Sequence, residues 1–246
     1  MNMTDFSDIK VFIFDYGGTL DTGARHWSYV LWEGFCDAGV PVTESQFREA
    51  YVYAERALAR SPIVLPGDDF HVLLRKKVDV ETEYLKAAGD WKVDEATRRE
   101  AVARIADYGY GYARRTVAES RRVLEVLGAN YPLVLVSNFY GNIQTILRDF
   151  HLNLFESVIE SALVGVRKPD PAIYRMGVEA AGVQPGEVLV VGDSYGKDIV
   201  PAKAIGCRAV WMKGEEWEPV EVDETLPDAV IPGLSGLLEL PGLKLA

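Results

Sequence analysis

The sequence predicts an α/β fold in which a doubly wound parallel sheet forms the core and a helical insertion interrupts it. Two observations lead to this prediction. Over the second half of the chain, short apolar runs alternate with single helical stretches, as strands and helices do in βαβ units. Between the first apolar run and the second, the pattern is helical from about residue 26 to about residue 116.

The first strand is predicted over residues 9–15, which are apolar and include β-branched and aromatic side chains. The inserted helices follow it. The stretch HWSYVLWEGFCDAG ends at Gly39, which is typical of a helix stop. Thr43 and Gln46 fit a capping box at the start of the next helix. The sequence SPIVLPGDD separates two helices, and Asp94 is the predicted N-cap of a further helix.

The remaining elements alternate between strand and helix. In chain order they are strand YPLVLVSN, helix NIQTILRDF, strand FESVIES, helix DPAIYRMGVEAAG, strand EVLVVGD, helix DIVPAKAIG, strand CRAVWM, and PDAVIPGLSGLLEL as a short strand followed by a helix. LVLVSN and VLVVGD are apolar without alternation, as expected for strands buried on both faces. We therefore predict a Rossmann-like core over residues 1–21 and 116–246, with a helical cap over residues 22–115.

Composition and charge exclude several classes of protein. The formal net charge is −11 and there is no basic stripe, which argues against a nucleic-acid partner. No apolar run approaches the length of a membrane span, so no membrane partner is expected. The N-terminal sequence lacks the pattern of a signal peptide. Cys36 and Cys207 are interpreted as buried small hydrophobic residues. Together these features predict a cytoplasmic protein.

Reactive side chains occur at the carboxyl ends of the core strands or just before the helices that follow them. In chain order they are Asp15, Ser137, Asn138, Lys168, Asp193 and Asp198. Each alone has an ordinary interpretation as a turn residue or a helix cap. Because the carboxyl ends of parallel strands share one edge of the sheet, where open α/β sheets bind ligands, we expect all six to converge on one crevice. The cap leaves and rejoins the core near this crevice, so we expect it to act as a lid.

The motifs DYGGT, SN, KP and GDSYGKD, in this order, resemble those of the haloacid dehalogenase superfamily of hydrolases with a helical cap between the first two motifs. The resemblance covers roughly residues 8–21 and 116–240, whereas the cap matches only in position and helical character. As a set the motifs are highly specific, although each one alone would be weak. The resemblance implies a Mg²⁺-dependent phosphatase that acts on a small phosphorylated metabolite through an aspartyl-phosphate intermediate.

The family's nucleophile and metal ligands carry over to matching residues. Asp15 resembles the nucleophile that takes the phosphoryl group. Asp193 and Asp198 resemble the acidic pair that holds Mg²⁺, a cation that prefers carboxylate and water ligands. Asp15 and the backbone carbonyl of Gly17 complete the implied metal site.

The groups that contact the phosphoryl group carry over in the same way. Ser137 resembles the hydroxyl that hydrogen-bonds the phosphoryl group in transfer, and Lys168 resembles the ammonium that neutralises its developing charge. The residues implied to bind substrate are Gly18, Thr19 and Asn138.

Gly17 departs from the family pattern. Family phosphatases usually carry Asp there, which protonates the leaving alkoxide and then activates water, a contribution of roughly 10²–10⁴ in rate. Three explanations are open. Another group supplies the proton. His26 has the better pKa for this role, although a lone histidine at the start of a helix is more often a cap or packing residue. Asp21 is close by but is interpreted as structural. The leaving group needs no proton, as in an acyl phosphate. Alternatively the chemistry is vestigial, and the protein binds a ligand or a partner.

Dehalogenases and phosphonoacetaldehyde hydrolases of this superfamily also replace that Asp, so hydrolysis of another bond is a further alternative. The intact pair of Asp193 and Asp198 weighs against a dehalogenase, which does not need the metal. A phosphonatase needs a cap lysine that forms a Schiff base with its substrate. The lysines available in the cap, all interpreted as exposed helix residues, are Lys76, Lys77, Lys86 and Lys92.

Overall fold

The computed structural model describes residues 4–215 and 222–245. Within these residues, six strands form one parallel sheet in the order β3-β2-β1-β4-β5-β6. The strands are β1 (Val11–Phe14), β2 (Leu133–Ser137), β3 (Ser157–Glu160), β4 (Val188–Gly192), β5 (Arg208–Met212) and β6 (Ala229–Ile231). The predicted doubly wound sheet is confirmed. Its strand order reverses at β1, because β2 and β3 lie on one side of β1 and the later strands lie on the other.

Four helices occupy the fully described stretch between β1 and β2. They are α1 (Trp27–Asp37), α2 (Glu44–Arg60), α3 (Phe70–Ala88) and α4 (Glu95–Gly128). The predicted caps are confirmed. Thr43 and Gln46 form a capping box at the start of α2, and Asp94 accepts a hydrogen bond from the Thr97 amide at 2.9 Å. Gly39, with φ of +71°, lies two residues after the end of α1.

Helix α4 runs without a break through residue 115, where the expected cap ends. Its first half packs against α1 and α3, whereas its second half packs against the core. The Ser120 hydroxyl donates to the Leu20 carbonyl at 2.8 Å, and Leu124 and Leu127 are fully buried. A single continuous helix therefore connects the inserted helices to the sheet, and the division at residue 115 stays a prediction.

The remaining helices cover the sheet. They are α5 (Ile143–Asp149), α6 (Ser161–Val164), α7 (Ala172–Ala181) and α8 (Val200–Ala204). The central strand is buried on both faces, as expected from its unbroken apolar run. Phe12 and Phe14 belong to the apolar cluster on one face, and Val11 and Ile13 belong to the cluster on the other.

Some sequence-based expectations differ from the structure. The helix expected over DIVPAKAIG begins earlier as a π-helical turn, Tyr195–Ile199, before α8. The final expected helix is a 3₁₀-helix, Leu234–Glu239, whose three-residue period places Leu234 and Leu237 on the same buried side. Cys207 is buried as expected, but Cys36 is exposed on α1.

Among the described residues, no helix combines the length and the apolar character that crossing a bilayer requires.

The turn after β1 contains two glycines with opposite requirements. Gly18 has φ of +96°, and a Cβ at this position would collide with the Asp193 carboxylate. Gly17 lies outside the left-handed region, and no described atom lies within 4 Å of a Cβ added there. The turn therefore requires glycine at position 18 and tolerates a side chain at position 17.

Replacement of these neighbouring glycines tests the turn. We expect Gly18→Ala to lower the free energy of unfolding by about 1–3 kcal/mol, because the new methyl group is both strained and overpacked. Gly17→Ala should change it by less than about 0.5 kcal/mol. Urea denaturation of both variants, followed by circular dichroism, measures the difference. Equal stability of the two variants would contradict the described turn.

Candidate active site

The predicted site residues gather where the strand order reverses. Asp15 follows β1 and Asp193 follows β4, and these strands pair in parallel with Phe14 opposite Val191. Open parallel sheets bind ligands at this position. A cavity of about 1240 Å³ lies above it, between the edge of the sheet and the inserted helices. Of the six residues expected to converge on one crevice, Asp15, Asn138, Lys168 and Asp193 line this cavity, whereas Ser137 and Asp198 do not.

Lys168 bridges two of the carboxylates. Its Nζ atom lies 2.6 Å from Asp15 Oδ1 and 2.8 Å from Asp198 Oδ1, and its side chain is only 2% exposed. Burial by itself lowers the pKa of Lys168, but the two carboxylates outweigh that effect and hold the pKa above its usual value. Lys168 is therefore a buried ammonium at the base of the site.

Asn138 fixes the backbone of Lys168. Its Oδ1 atom accepts a hydrogen bond from the Lys168 amide at 2.8 Å, and its Nδ2 atom donates to the Lys168 carbonyl at 3.0 Å. Asn138 also lines the cavity, where substrate binding is expected of it. The contacts in the structure identify it as a residue that positions Lys168.

Three carboxylates face this ammonium. Oxygen atoms of Asp15, Asp193 and Asp198 all lie within 4.8 Å of one another. Burial, opposed by Lys168 and reinforced by Asp198, raises the pKa of Asp15 to about 6. Burial and the two neighbouring carboxylates raise the pKa of Asp193 well above its usual range. The cluster carries more negative charge than one lysine neutralises, which is the environment of a cation site.

Hydrogen bonds hold two of these carboxylates in place. Asp198 accepts from the Tyr174 hydroxyl at 2.7 Å and from the Ser194 amide at 3.0 Å. Asp193 accepts from the Thr19 hydroxyl at 2.8 Å, and the same hydroxyl accepts from the Asp193 amide at 3.0 Å. Thr19, which was expected to bind substrate, is fully buried and orients Asp193.

Ser137 ends β2, next to the strand that carries Asp15. It is 1% exposed and does not line the cavity, but its hydroxyl has no hydrogen-bond partner among the described residues. A buried hydroxyl without a partner is unusual in a folded protein. Its expected contact with a phosphoryl oxygen stays a prediction.

His26 lines the cavity, but it also serves as the N-cap of α1. Its Nδ1 atom accepts a hydrogen bond from the Ser28 amide at 3.2 Å and lies 2.8 Å from the Ser28 hydroxyl. Burial, aided by Lys197, lowers its pKa to about 4. The imidazole is therefore neutral near pH 7, which makes His26 a poor donor of a proton to a leaving group.

Asp21 has properties that the sequence did not reveal. Its Oδ1 atom accepts from the Gly18 amide at 2.7 Å and its Oδ2 atom accepts from the Trp27 indole at 2.9 Å, which agrees with the expected structural role. The first contact also engages the amide of Gly18, a residue expected to bind substrate. Asp21 lines the cavity, and burial raises its pKa to about 7. It is thus a carboxyl group that can exchange a proton near neutral pH.

The prediction that all four cap lysines are exposed is wrong for Lys77. It lies on α3, is 4% exposed and lines the cavity. Lys92 is exposed, and Lys76 and Lys86 are partly exposed. Lys77 falls on the helical stripe that also contains Leu73, so its position in that periodicity is the signal that could have identified it.

Comparisons with known proteins agree with this arrangement. A family model described as haloacid dehalogenase-like hydrolase matches residues 9–206. The chain is 36% identical over 115 residues to haloacid dehalogenase-like hydrolase domain-containing protein 3 of Mus musculus, over 46% of this chain and 45% of that protein. It is 36% identical over 89 residues to glyceraldehyde 3-phosphate phosphatase of Pyrococcus furiosus, over 36% and 37% of the two chains. The chain therefore spans less than half the length of these curated relatives.

A solved structure of a dehalogenase with an intermediate complex superposes with a TM-score of 0.66. It is 18% identical and covers 98% of this chain and 100% of that chain. At this identity the likeness shows the fold alone. The family model, in contrast, extends from β1 to the end of α8 and so covers most of the chain, including every residue of the predicted site. The chain belongs to the haloacid dehalogenase-like hydrolase family.

Proposed function

We propose that the protein is a Mg²⁺-dependent phosphatase that acts on a small phosphorylated metabolite through an aspartyl-phosphate on Asp15. The observation that carries the proposal is the pairing of Asp15 with the buried ammonium of Lys168 at 2.6 Å, within a cavity and beside two further carboxylates. The similarity to a protein named as a phosphatase in Pyrococcus furiosus supports the same class of reaction.

The residues fit the proposed metal. Asp15, Asp193 and Asp198 supply oxygen ligands, as Mg²⁺ requires, and the carbonyl of Gly17 is a further candidate ligand. The excess of carboxylates over ammonium groups in this cluster is unfavourable without a cation. Mg²⁺ bound there would offset the repulsion between these carboxylates and an anionic substrate.

The chain's own residues then account for the first chemical step. A carboxylate oxygen of Asp15 attacks phosphorus and forms the new P–O bond, while the bond from phosphorus to the leaving oxygen breaks. Lys168 offsets negative charge on both Asp15 and the phosphoryl oxygens. The Ser137 hydroxyl, which lacks a partner among the described residues, would donate to a phosphoryl oxygen. Water then attacks the phosphorus of the aspartyl-phosphate, the P–O bond to Asp15 breaks, and inorganic phosphate leaves with the regenerated Asp15 carboxylate behind it.

The lack of a side chain at Gly17 affects which leaving groups can depart. Position 17 is exposed to the cavity and carries no side chain, so no carboxyl group at this position protonates the departing oxygen. The rate of bond cleavage then depends on how well that oxygen carries negative charge. We propose that Gly17 favours acyl and aryl phosphates over alkyl phosphates.

One observation favours a second candidate, hydrolysis of a carbon–phosphorus bond. Lys77 is a buried cap lysine in the same cavity as Asp15, which is where a phosphonatase needs a Schiff-base lysine. However, a Schiff base forms from a neutral amine, whereas Lys77 is engaged in an ion pair with Glu55. We therefore rank this candidate below the phosphatase.

The first prediction concerns the metal. Calorimetric titration of wild type should show Mg²⁺ binding, and Asp193→Asn should abolish it, because the amide supplies no negative charge to the cluster. Asp107→Asn, at a carboxylate on α4 that is 68% exposed, serves as the matched control and should bind like wild type. Mg²⁺ binding by Asp193→Asn at wild-type affinity would remove Asp193 from the metal site.

The second prediction tests the proposed function through the nucleophile. Wild type should release p-nitrophenol from p-nitrophenyl phosphate, and Asp15→Asn should reduce the rate to background, because a carboxamide does not attack phosphorus. Circular dichroism should show the same fold in both proteins. Substantial turnover by folded Asp15→Asn would exclude covalent catalysis through this residue.

The third prediction concerns Gly17. For a series of aryl and alkyl phosphates, log kcat/KM of wild type should fall steeply as the leaving-group pKa rises. Gly17→Asp should flatten this dependence and accelerate alkyl esters, by up to roughly 10²–10⁴-fold. A Cβ added at position 17 has no described atom within 4 Å, so the variant should fold. Gly17→Asn, which has the same shape but no acid, should retain the steep dependence.

A flat dependence in wild type, with chemistry limiting the rate, would contradict the role assigned to Gly17 and would show that another group donates the proton. Asp21 would then be the first residue to replace with Asn. Its pKa of about 7 leaves a large protonated fraction at neutral pH, whereas the His26 pKa is about 4.

A further inference from the structure

The cavity is much larger than a phosphoryl group requires. Its volume is about 1240 Å³, above the range of roughly 300–1,000 Å³ that is usual for small-molecule sites. Asp15 and Lys168 line the cavity at the edge of the sheet, and another part of its wall is formed by α2, α3 and the segment between them. Much of that wall is apolar, with contributions from Leu58, Val64, Phe70, Leu73 and Leu74. The cavity therefore has room for a sizeable organic group beyond the phosphate.

Lys77 places a positive charge within this apolar wall. Its side chain is 5% exposed, and its Nζ atom lies 3.9 Å from the centroid of the Tyr51 ring. The same ammonium forms an ion pair with Glu55. Lys77 is thus a buried cation that borders the cavity on the side of the inserted helices.

The partners of Lys77 differ in how firmly they are held. Glu55 lines the cavity, is 41% exposed at its side chain, and accepts from the Tyr140 hydroxyl at 3.1 Å. Glu81 is fully buried 3.6 Å from Lys77 Nζ, and its carboxylate oxygens accept no hydrogen bond from the described residues. Burial alone confines Glu81, whereas Glu55 is held by Lys77 and Tyr140 but has part of its side chain open to solvent.

This arrangement is a costly way to stabilise a helical cap. A buried ion pair contributes little net stability, because the desolvation of both charges cancels much of their attraction. A hydrophobic residue at position 77 would complete the stripe of α3 on which Leu73 and Leu74 lie. A few charged groups in a mostly apolar pocket are, in contrast, the usual means of orienting a ligand.

We infer that Lys77 binds a carboxylate on the organic part of the substrate, so that the substrate class is phosphorylated organic acids with the phosphoryl group at Asp15 and the carboxylate at α3. The ammonium has three N–H donors, and Glu55 takes one of them. The substrate carboxylate would take another or replace Glu55. The inference rests on the proposed function only for the placement of the phosphoryl group.

Equilibrium binding tests this subsite without turnover. The ligands are para-(phosphonomethyl)benzoate and its neutral carboxamide, which have nearly the same shape and cannot be hydrolysed as esters. Calorimetry in magnesium-containing buffer should show that wild type binds the carboxylate more tightly than the carboxamide. Lys77→Met should weaken carboxylate binding roughly 10- to 100-fold, the effect of losing a hydrogen bond to a charged group, and should change carboxamide binding much less.

Two further variants control this experiment. Lys86→Met replaces a partly exposed lysine on the same helix, whose partner is Glu95, and should keep the wild-type preference. Lys77→Met leaves Glu55 and Glu81 without their cation, so it is paired with the double variant Lys77→Met/Glu55→Met, which removes both charges of the closest ion pair. Circular dichroism identifies which of these proteins is folded, and the loss of preference should appear in each folded one.

Several outcomes would overturn the inference. Equal affinity of wild type for the two ligands, or no binding of the carboxylate, would exclude an anion subsite. Preference for the para-aminomethyl analogue, lost in Glu55→Gln, would assign the subsite to a cation. Failure of the proposed function is a separate result, in which p-nitrophenyl phosphate is not hydrolysed although the carboxylate preference is present.

Discussion

The buried ammonium of Lys168 is the interaction on which the site depends. It touches Asp15 and Asp198, two carboxylates that come from parts of the chain far apart in sequence. Without it, both would be buried anions with no cation beside them, a state that costs several kcal/mol. The surrounding structure fixes this lysine from two directions, since Asn138 holds its backbone and Tyr174 donates to one of its partners. The sheet supports this arrangement because its parallel strands end at one edge.

The loop after β1 couples this charge cluster to the inserted helices. The Asp21 carboxylate accepts from the Gly18 amide on one side and from the Trp27 indole on the other. Gly18 in turn lies against Asp193 so closely that no larger residue fits. A contact chain therefore runs from the carboxylates through the loop to the first turn of α1. The position of α1 and the conformation of the loop therefore depend on each other through the Asp21 carboxylate.

The sequence predicted the sheet and its reactive edge well, because unbroken apolar runs and strand-end residues are local signals. Asp15, Asn138, Lys168 and Asp193 all lie where the alternation of strands and helices places them. The predictions were weaker for residues whose exposure or pKa depends on burial in the folded structure. The position of Lys77 on the apolar stripe of α3 indicates burial, but its ion pair with Glu55 depends on the packing of α2 against α3.

Burial also changes how two further residues are interpreted. The usual pKa of histidine favoured His26 as a proton donor, but burial lowers that pKa and raises the pKa of Asp21. Cys36 was expected inside because cysteine usually is, yet its helix position faces solvent. The extent of desolvation and the direction of a side chain depend on contacts between distant segments, which composition and spacing do not encode.

The unbroken course of α4 has a mechanical consequence. Its 34 residues form a rod of about 50 Å that is anchored in the core at one end and in the inserted helices at the other. A continuous α-helix resists bending, so it limits how far α1–α3 can move away from the sheet. The segment that leads out of the core turns at Gly23 and Ala24, which both have positive φ angles, and the Ala24 amide donates to the Gly18 carbonyl at 2.7 Å. Because the inserted helices join the core only through α4 and the segment that turns at Gly23 and Ala24, any movement of these helices relative to the sheet must deform one of these two connections.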